Sequence, residues 1–279
     1  MRNWLFALLC AVTVTGPAYS DVLEEIRKEG SLTLGYRTDA PPFSFLSDDG
    51  EPAGLAVDLC EDVASSLKNT LGINELTVFY FPVTAATRFE KLNGGEIDIL
   101  CGPTSATLSR RQKIDFSIPY FVDGSSVVFR TGQAEVIEDL DGQNIGVLKG
   151  TTTEKVVTNL VSERDLDAEL ILYDTHVRGL SALDKGDISA YFGDQAILRY
   201  QLGRMRPETP LSFSANQFSF EPYALAMKRG ENALRLEVDR ALSTSFKSGR
   251  IYSHISKTLG DVALSDLARA VYQVVTLPD

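Results

Sequence analysis

Short apolar runs alternate along this chain with stretches whose apolar residues return every three to four positions. The first pattern marks buried strands, the second helices that lay one face on a sheet. Ser31 to Tyr36 predicts a strand, followed by a turn at Pro41 and Pro42 and a helix carrying Ala56, Leu59, Cys60, Val63, Ala64 and Leu67 on one stripe. Leu76 to Phe81 predicts a second strand, Thr87 to Leu92 a short helix, and Ile97 to Leu100 a strand closed by the turn Cys101-Gly102-Pro103. The alternation then restarts. Ile145 to Leu148 leads through Gly150 into a helix whose Thr151 and Glu154 have capping-box spacing. Leu170 to Tyr173, a helix near Leu180, and Ile188 to Phe192 continue the series, and a long last helix carries Leu234, Val238, Ala241, Leu242 and Phe246. Two α/β units in succession are predicted, with no low-complexity linker and no helical repeat.

The N-terminus breaks this rhythm. Met1 and Arg2 precede an apolar stretch, Trp4 to Val14, too short to cross a bilayer as a mature helix. Residues 1–20 therefore read as a signal peptide, with Ala18 and Ser20 as the small residues before a cut at Asp21. Leu9 is too bulky to precede a lipid-modified Cys10, which disfavours a lipoprotein. The expectation is a soluble periplasmic protein whose residues 21–279 suffice for one large domain or two modest ones.

Charge and cysteine content narrow the function. With 27 Lys and Arg against 38 Asp and Glu, the net charge of −11 excludes a nucleic-acid partner, whose phosphates demand a basic face. Once Cys10 leaves with the signal, Cys60 and Cys101 remain as an even pair in an oxidising compartment, either bridged or as two buried thiols. His176 and His254 are the only histidines, and no H-E-x-x-H, G-x-S-x-G or P-loop occurs. Hydrolase and metalloenzyme chemistry lack material, so no metal and no cofactor is expected.

Polar residues gather where the predicted strands end, which is where open α/β sheets bind ligands. Thr104, Ser105, Thr107 and Arg110 follow Ile97 to Leu100, a hydroxyl-rich turn and a cation suited to a carboxylate. Gly150 and three threonines follow Ile145 to Leu148 at a helix start, where free N–H groups attract an anion. Asp194 follows Ile188 to Phe192 and suits an ammonium. Each has a bland alternative: threonines cap helices, an Arg in a polar turn is solvated, and an Asp after a strand makes a turn. Their recurrence at successive strand ends favours a site.

A set of motifs in order then carries a resemblance. Gly35-Tyr36-Arg37 with Pro41-Pro42-Phe43-Ser44-Phe45, Gly54 with Val57-Asp58-Leu59, Gly95 with Ile97-Asp98, and Arg110 with Ile114-Asp115-Phe116-Ser117 fill the first half. Ile145-Gly146-Val147 with Gly150-Thr151-Thr152, Lys185-Gly186-Asp187 with Asp194, and Glu221-Pro222-Tyr223 with Met227-Lys228-Arg229 fill the second. Over nearly the whole mature chain, this pattern resembles family 3 of the extracellular solute-binding proteins. The resemblance implies a two-lobed type II periplasmic binding protein-like fold, two α/β lobes joined by two crossover strands with the ligand cleft between them. Residues 21–122 and 223–279 would form lobe 1, and residues 123–222 lobe 2.

The resemblance also implies roles. Arg110 matches the family's grip on an amino acid's α-carboxylate, aided by Ser105 and Thr152; Asp194 matches the acid that takes the α-ammonium, and Phe43 an apolar wall. Pro103 departs from the Gly or Ser that many members carry there, and it removes a backbone donor. Pro82-Val83-Thr84 with Arg88, the Cys101-Gly102 turn, Arg37 and His176 fall where the glutamate/aspartate-binding proteins of ABC importers place their counterparts. Without the resemblance, Arg37, Arg88 and His176 are scattered polar residues; with it, they predict a pocket for a side-chain carboxylate. The implied partners are a free, acidic amino acid and a membrane permease, and a monomer is expected. Two other readings share the fold: a cyclohexadienyl dehydratase-like lyase, which needs an acid facing the cleft, and a ligand-sensing module for a separate receptor.

Overall fold

A computed structural model describes residues 21–214, 216–260 and 266–278, with side chains of 266–268 left aside. The expected signal segment, residues 1–20, lies outside the described residues. The chain forms two five-stranded sheets. In the first, Ser31–Arg37 lies between Thr77–Val83 and Ile99–Cys101, both parallel to it, and Ala226–Lys228 and Ile114–Phe116 complete the order. In the second, Asn144–Leu148 lies between Glu169–Tyr173 and Ala190–Asp194, again parallel, followed by Ser125–Arg130 and Leu211–Phe213. In both sheets the early central strand has later strands on its two sides. That reversal of order opens a crevice at its C-terminal end, so Arg37 and Gly150 stand at the two places where such sheets bind ligands.

The chain passes from the first sheet to the second through Phe121–Asp123 and returns through Glu221–Tyr223. These two strands pair antiparallel, with Asp123 opposite Glu221 and Phe121 opposite Tyr223. Opposed residues of an antiparallel pair share a face, as do residues two apart, so all four project to one side of the ribbon. The fold is the two-lobed α/β architecture that the sequence pattern implied.

Helices cover the sheets as their stripes dictate. All six stripe residues of Leu55–Leu71, from Ala56 to Leu67, are buried, and the five apolar positions of Asn232–Ser248 join the same core. Strand ends deviate from the sequence-based limits for identifiable reasons. Thr77–Val83 runs on through Pro82, which is tolerated because this strand pairs on one side only. Ile99–Cys101 starts two residues late because the Asp98 side chain accepts the Thr33 N–H at 2.7 Å. The box at Thr151 reaches one residue further than expected. Thr151 accepts the Glu154 N–H at 3.1 Å, while the Glu154 carboxylate accepts from Gly150 N–H at 2.6 Å.

Cys60 and Cys101 form a disulfide, with Cα atoms 6.1 Å apart, that ties the helix Leu55–Leu71 to the strand beneath it. Denatured, unreduced protein without residues 1–20 should therefore show no free thiol. Opening a loop with a sequence separation of 41 should cost about 4 kcal/mol in the chain-entropy account, read as a lower urea midpoint after reduction. Two titratable thiols in the oxidised protein would contradict the bridge.

Candidate functional site

The cleft floor assembles from both sheets. Arg37 ends the central strand of the first sheet and is 2% exposed. Its Nε donates to Asp39 Oδ1 at 2.8 Å, and Nη2 sits 2.7 Å from the same oxygen without hydrogen-bond alignment. Asp39 was not among the predicted site residues. It neutralises Arg37 inside the cleft, and its second oxygen, Oδ2, is buried without a hydrogen-bond partner among the described residues.

Arg88 opens the helix Arg88–Asn93, and it too is 2% exposed. Its Nη2 donates to the Gly150 carbonyl at 3.2 Å, across the cleft from the second sheet. Nε and Nη1 are buried and unpartnered among the described residues. Burial first, then repulsion from Arg110 and Arg37, pushes this guanidinium down from its ordinary range. An arginine does not surrender its proton, so the unfavourable field is a standing demand for an anion. Gly150 has φ +77°, and a Cβ there would meet the Ala85 carbonyl oxygen at 3.1 Å and Ala86 Cα at 3.2 Å. Only glycine lets the two lobes approach this closely.

Arg110 lies in the short helix Leu108–Arg111, where the N-cap Thr107 side chain accepts the Arg110 N–H. Its Nη1 donates to the Ser105 carbonyl at 3.0 Å, and its guanidinium lies 5.2 Å from the Phe89 ring centroid. Burial lowers its pKa; Glu221 and Asp194 act the other way. Arg110 also lines a cavity of about 430 Å³ with Phe89, Gly150, Thr151 and Glu154.

Across the cleft, the helix Thr152–Glu163 presents its first turn. Thr152 donates to Glu221 Oε2 at 2.9 Å and lies 3.4 Å from the Ser105 hydroxyl of the other lobe. Thr153 donates to Asp194 Oδ1 at 2.8 Å, and Tyr223 donates to Asp194 Oδ2 at 2.5 Å. Asp194 sits at the N-cap position of Gln195–Arg204 yet makes no capping bond. Its carboxylate is turned toward the cleft ribbon instead.

His176 is 3% exposed, with Nδ1 3.2 Å from the Tyr191 hydroxyl. Burial depresses its pKa to about 4, so the ring is neutral at physiological pH and acts as a hydrogen-bonding group, not a charge. Phe43 is fully buried, edge-on to Phe121 and Tyr223 with centroids 4.8 and 5.1 Å away. It backs the crossover ribbon from inside the lobe 1 core.

Seven of the eight predicted residues thus gather around one cleft, with Phe43 a layer behind. Sequence reasoning did not assign Asp39, Asp123, Glu221 or Tyr223 to it. Asp39 was legible as an acid two positions after Arg37, whereas the other three become neighbours only through the pairing of strands about a hundred residues apart. Among the described residues no cluster of side chains suits a metal ion, and no helix is long and apolar enough to cross a membrane.

Comparison with known proteins agrees with this geometry. Residues 32–261 match the family model of bacterial extracellular solute-binding proteins, family 3. An L-glutamate/L-aspartate-binding protein of Pseudomonas aeruginosa is 28% identical over 249 residues, 88% of this chain and 82% of the relative. A glutamine-binding protein of a Bacillus subtilis ABC transporter is 28% identical over 240 residues, 85% of this chain and 84% of the relative. The solved structure of an ancestral arginine-binding protein bound to arginine superposes with a TM-score of 0.74 at 26% identity, covering 83% of this chain and 99% of that one.

Proposed function

The chain belongs to family 3 of the bacterial extracellular solute-binding proteins, and from that premise we propose that it captures a free acidic amino acid, glutamate or aspartate, for an ABC importer. Residues 1–20 direct it to the periplasm, and residues 21–122 with 223–279 close on residues 123–222 about the paired crossover strands. Arg110 takes the α-carboxylate with Ser105 and Thr152, and Asp194 takes the α-ammonium. Arg88, Arg37 and neutral His176 face the side-chain carboxylate.

One observation carries the acidic preference. Arg88 is a buried cation with two unpartnered guanidinium nitrogens, Nε and Nη1, and no carboxylate within salt-bridge distance among the described residues. A buried charge left unpaired is costly, and a ligand carboxylate removes that cost. A second reading, an amide such as glutamine, has the Asp39 Oδ2 in its favour, because that buried acceptor is satisfied by an amide N–H and not by a carboxylate.

A thermal-shift screen against the twenty amino acids and prephenate, followed by an assay for substrate loss, decides between these readings. A bound ligand stabilises the native state by mass action, so glutamate or aspartate should give the largest rise in melting temperature. The largest rise with glutamine would replace the acidic reading by the amide one. Consumption of prephenate would replace both by the lyase.

A further inference from the structure

Asp194 is not the only carboxylate at the place proposed for the ammonium. Asp123, on the first crossover strand, is 7% exposed. Its Oδ1 accepts the Gly124 N–H at 2.9 Å, and its Oδ2 accepts the Ala196 N–H at 3.1 Å, at the start of the helix Gln195–Arg204. The Tyr223 hydroxyl stands between the two acids, 3.4 Å from Asp123 Oδ2 and 2.5 Å from Asp194 Oδ2.

A phenol has one proton, and here the short contact commits it to Asp194. The Tyr223 oxygen can then satisfy Asp123 only by accepting from it, which requires a protonated Asp123. The surrounding charges agree. Burial first, then the charge of Asp194, raises the Asp123 pKa to about 7, opposed by the two N–H groups and Tyr223. Glu221 lies opposite Asp123 on the same face of the ribbon, its oxygens occupied by Thr152 and Ser219. The cation Arg110 acts on Asp194 and Glu221; Arg88 and the neutral His176 also sense Asp194. Tyr223 itself, fully buried between acids, is raised well above its ordinary range and keeps its proton.

We infer that Asp123 and Asp194 hold a single carboxyl proton between them, bridged by the Tyr223 hydroxyl, and that capture of an ammonium at Asp194 expels this proton from Asp123 to solvent. The inference rests on the amino-acid reading above. The Asp123 O–H bond breaks, its electron pair stays on the carboxylate, and buffer takes the proton; the site exchanges one cation for another. Asp123 acts on the ligand through Tyr223 and Asp194, so it is a positioning residue.

Asp123→Asn provides the test, because its amide oxygen still accepts the Gly124 N–H and its NH2 donates to Tyr223 as the protonated acid does, at the loss of the Ala196 bond, while it has no acidic proton. Calorimetric titration of L-glutamate at pH 7 in phosphate and in Tris should show release of about half a proton by the wild type, as for a group half-protonated at that pH. The variant should release none. Wild-type affinity should be about tenfold weaker at pH 6 than at pH 8, while the variant changes less than twofold. Binding without proton release by the wild type, or equal release by Asp123→Asn, overturns the exchange.

Melting of the ligand-free proteins separates this from the ligand assignment. A carboxyl whose folded pKa is raised gives stability that is present at low pH and lost as pH rises through the folded value. The wild type should therefore lose melting temperature relative to Asp123→Asn as pH rises from 5 to 8. Parallel curves overturn the shared proton. A widening gap with no binding of any of the twenty amino acids overturns the ligand reading instead.

Discussion

Arg110→Ala should leave a folded protein that binds its amino acid at least a hundredfold more weakly. The fold makes little use of this side chain: one hydrogen bond to the Ser105 carbonyl and a face-on contact with Phe89. The proposed ligand uses it fully. A carboxylate held by a guanidinium fork gains two charge-assisted bonds in a closed, poorly solvated cleft, and truncating one partner of such a pair typically costs about 3–5 kcal/mol. Arg110→Lys keeps the charge but not the fork and should fall between the two, because a point charge cannot match both carboxylate oxygens. Circular dichroism checks the fold and calorimetry the affinity. Near-native binding by Arg110→Ala would remove it from the site.

Periodicity exposed the scaffold because burial along one helix or strand is a local property. The stripe from Ala56 to Leu67 and the one from Leu234 to Phe246 needed no tertiary information. Strand limits slipped where a side chain replaced the backbone in a ladder, as Asp98 does with Thr33. The candidate cleft was legible to the extent that polar residues follow strand ends, which brought in Arg110, Thr152 and Asp194, and the family motifs added Arg37, Arg88 and His176. What periodicity does not encode is who meets whom. Asp123 and Tyr223 are separated by 100 positions, and nothing local announces that the phenol stands between Asp123 and Asp194. Charge state is equally non-local. His176 titrates near neutrality in water, and only complete burial against Tyr191 reveals it as neutral. Asp39 is the instructive exception, since an acid two residues after Arg37 in extended chain lies on the same side and signals that Arg37 arrives in the cleft already paired.

On the acidic reading proposed above, that pairing leaves Arg88 as the cation for the ligand's side-chain carboxylate. Wild-type protein should bind glutamate at least a hundredfold more tightly than glutamine, because the amide leaves Arg88 buried without a counter-charge. Arg88→Met keeps an apolar stem of similar reach beside Phe89 and discards the guanidinium. The variant also loses the cross-cleft bond to the Gly150 carbonyl, so closure weakens for every ligand, and single affinities are ambiguous. Their ratio is not, because the lost bond cancels between acid and amide. Glutamate should lose at least a hundredfold and glutamine less than tenfold, bringing the two within about tenfold of each other, as expected when about 3–5 kcal/mol of pairing is removed from one ligand alone. Asp39→Asn should move the ratio the other way. It frees Arg37 to face the ligand carboxylate and withdraws the acceptor that an amide N–H would use. Titration of both ligands into the three proteins measures all of this. An acid-to-amide ratio that is the same in Arg88→Met and wild type would place Arg88 outside the side-chain pocket, and a wild type that prefers glutamine would assign that pocket to an amide held between Arg88 and Asp39.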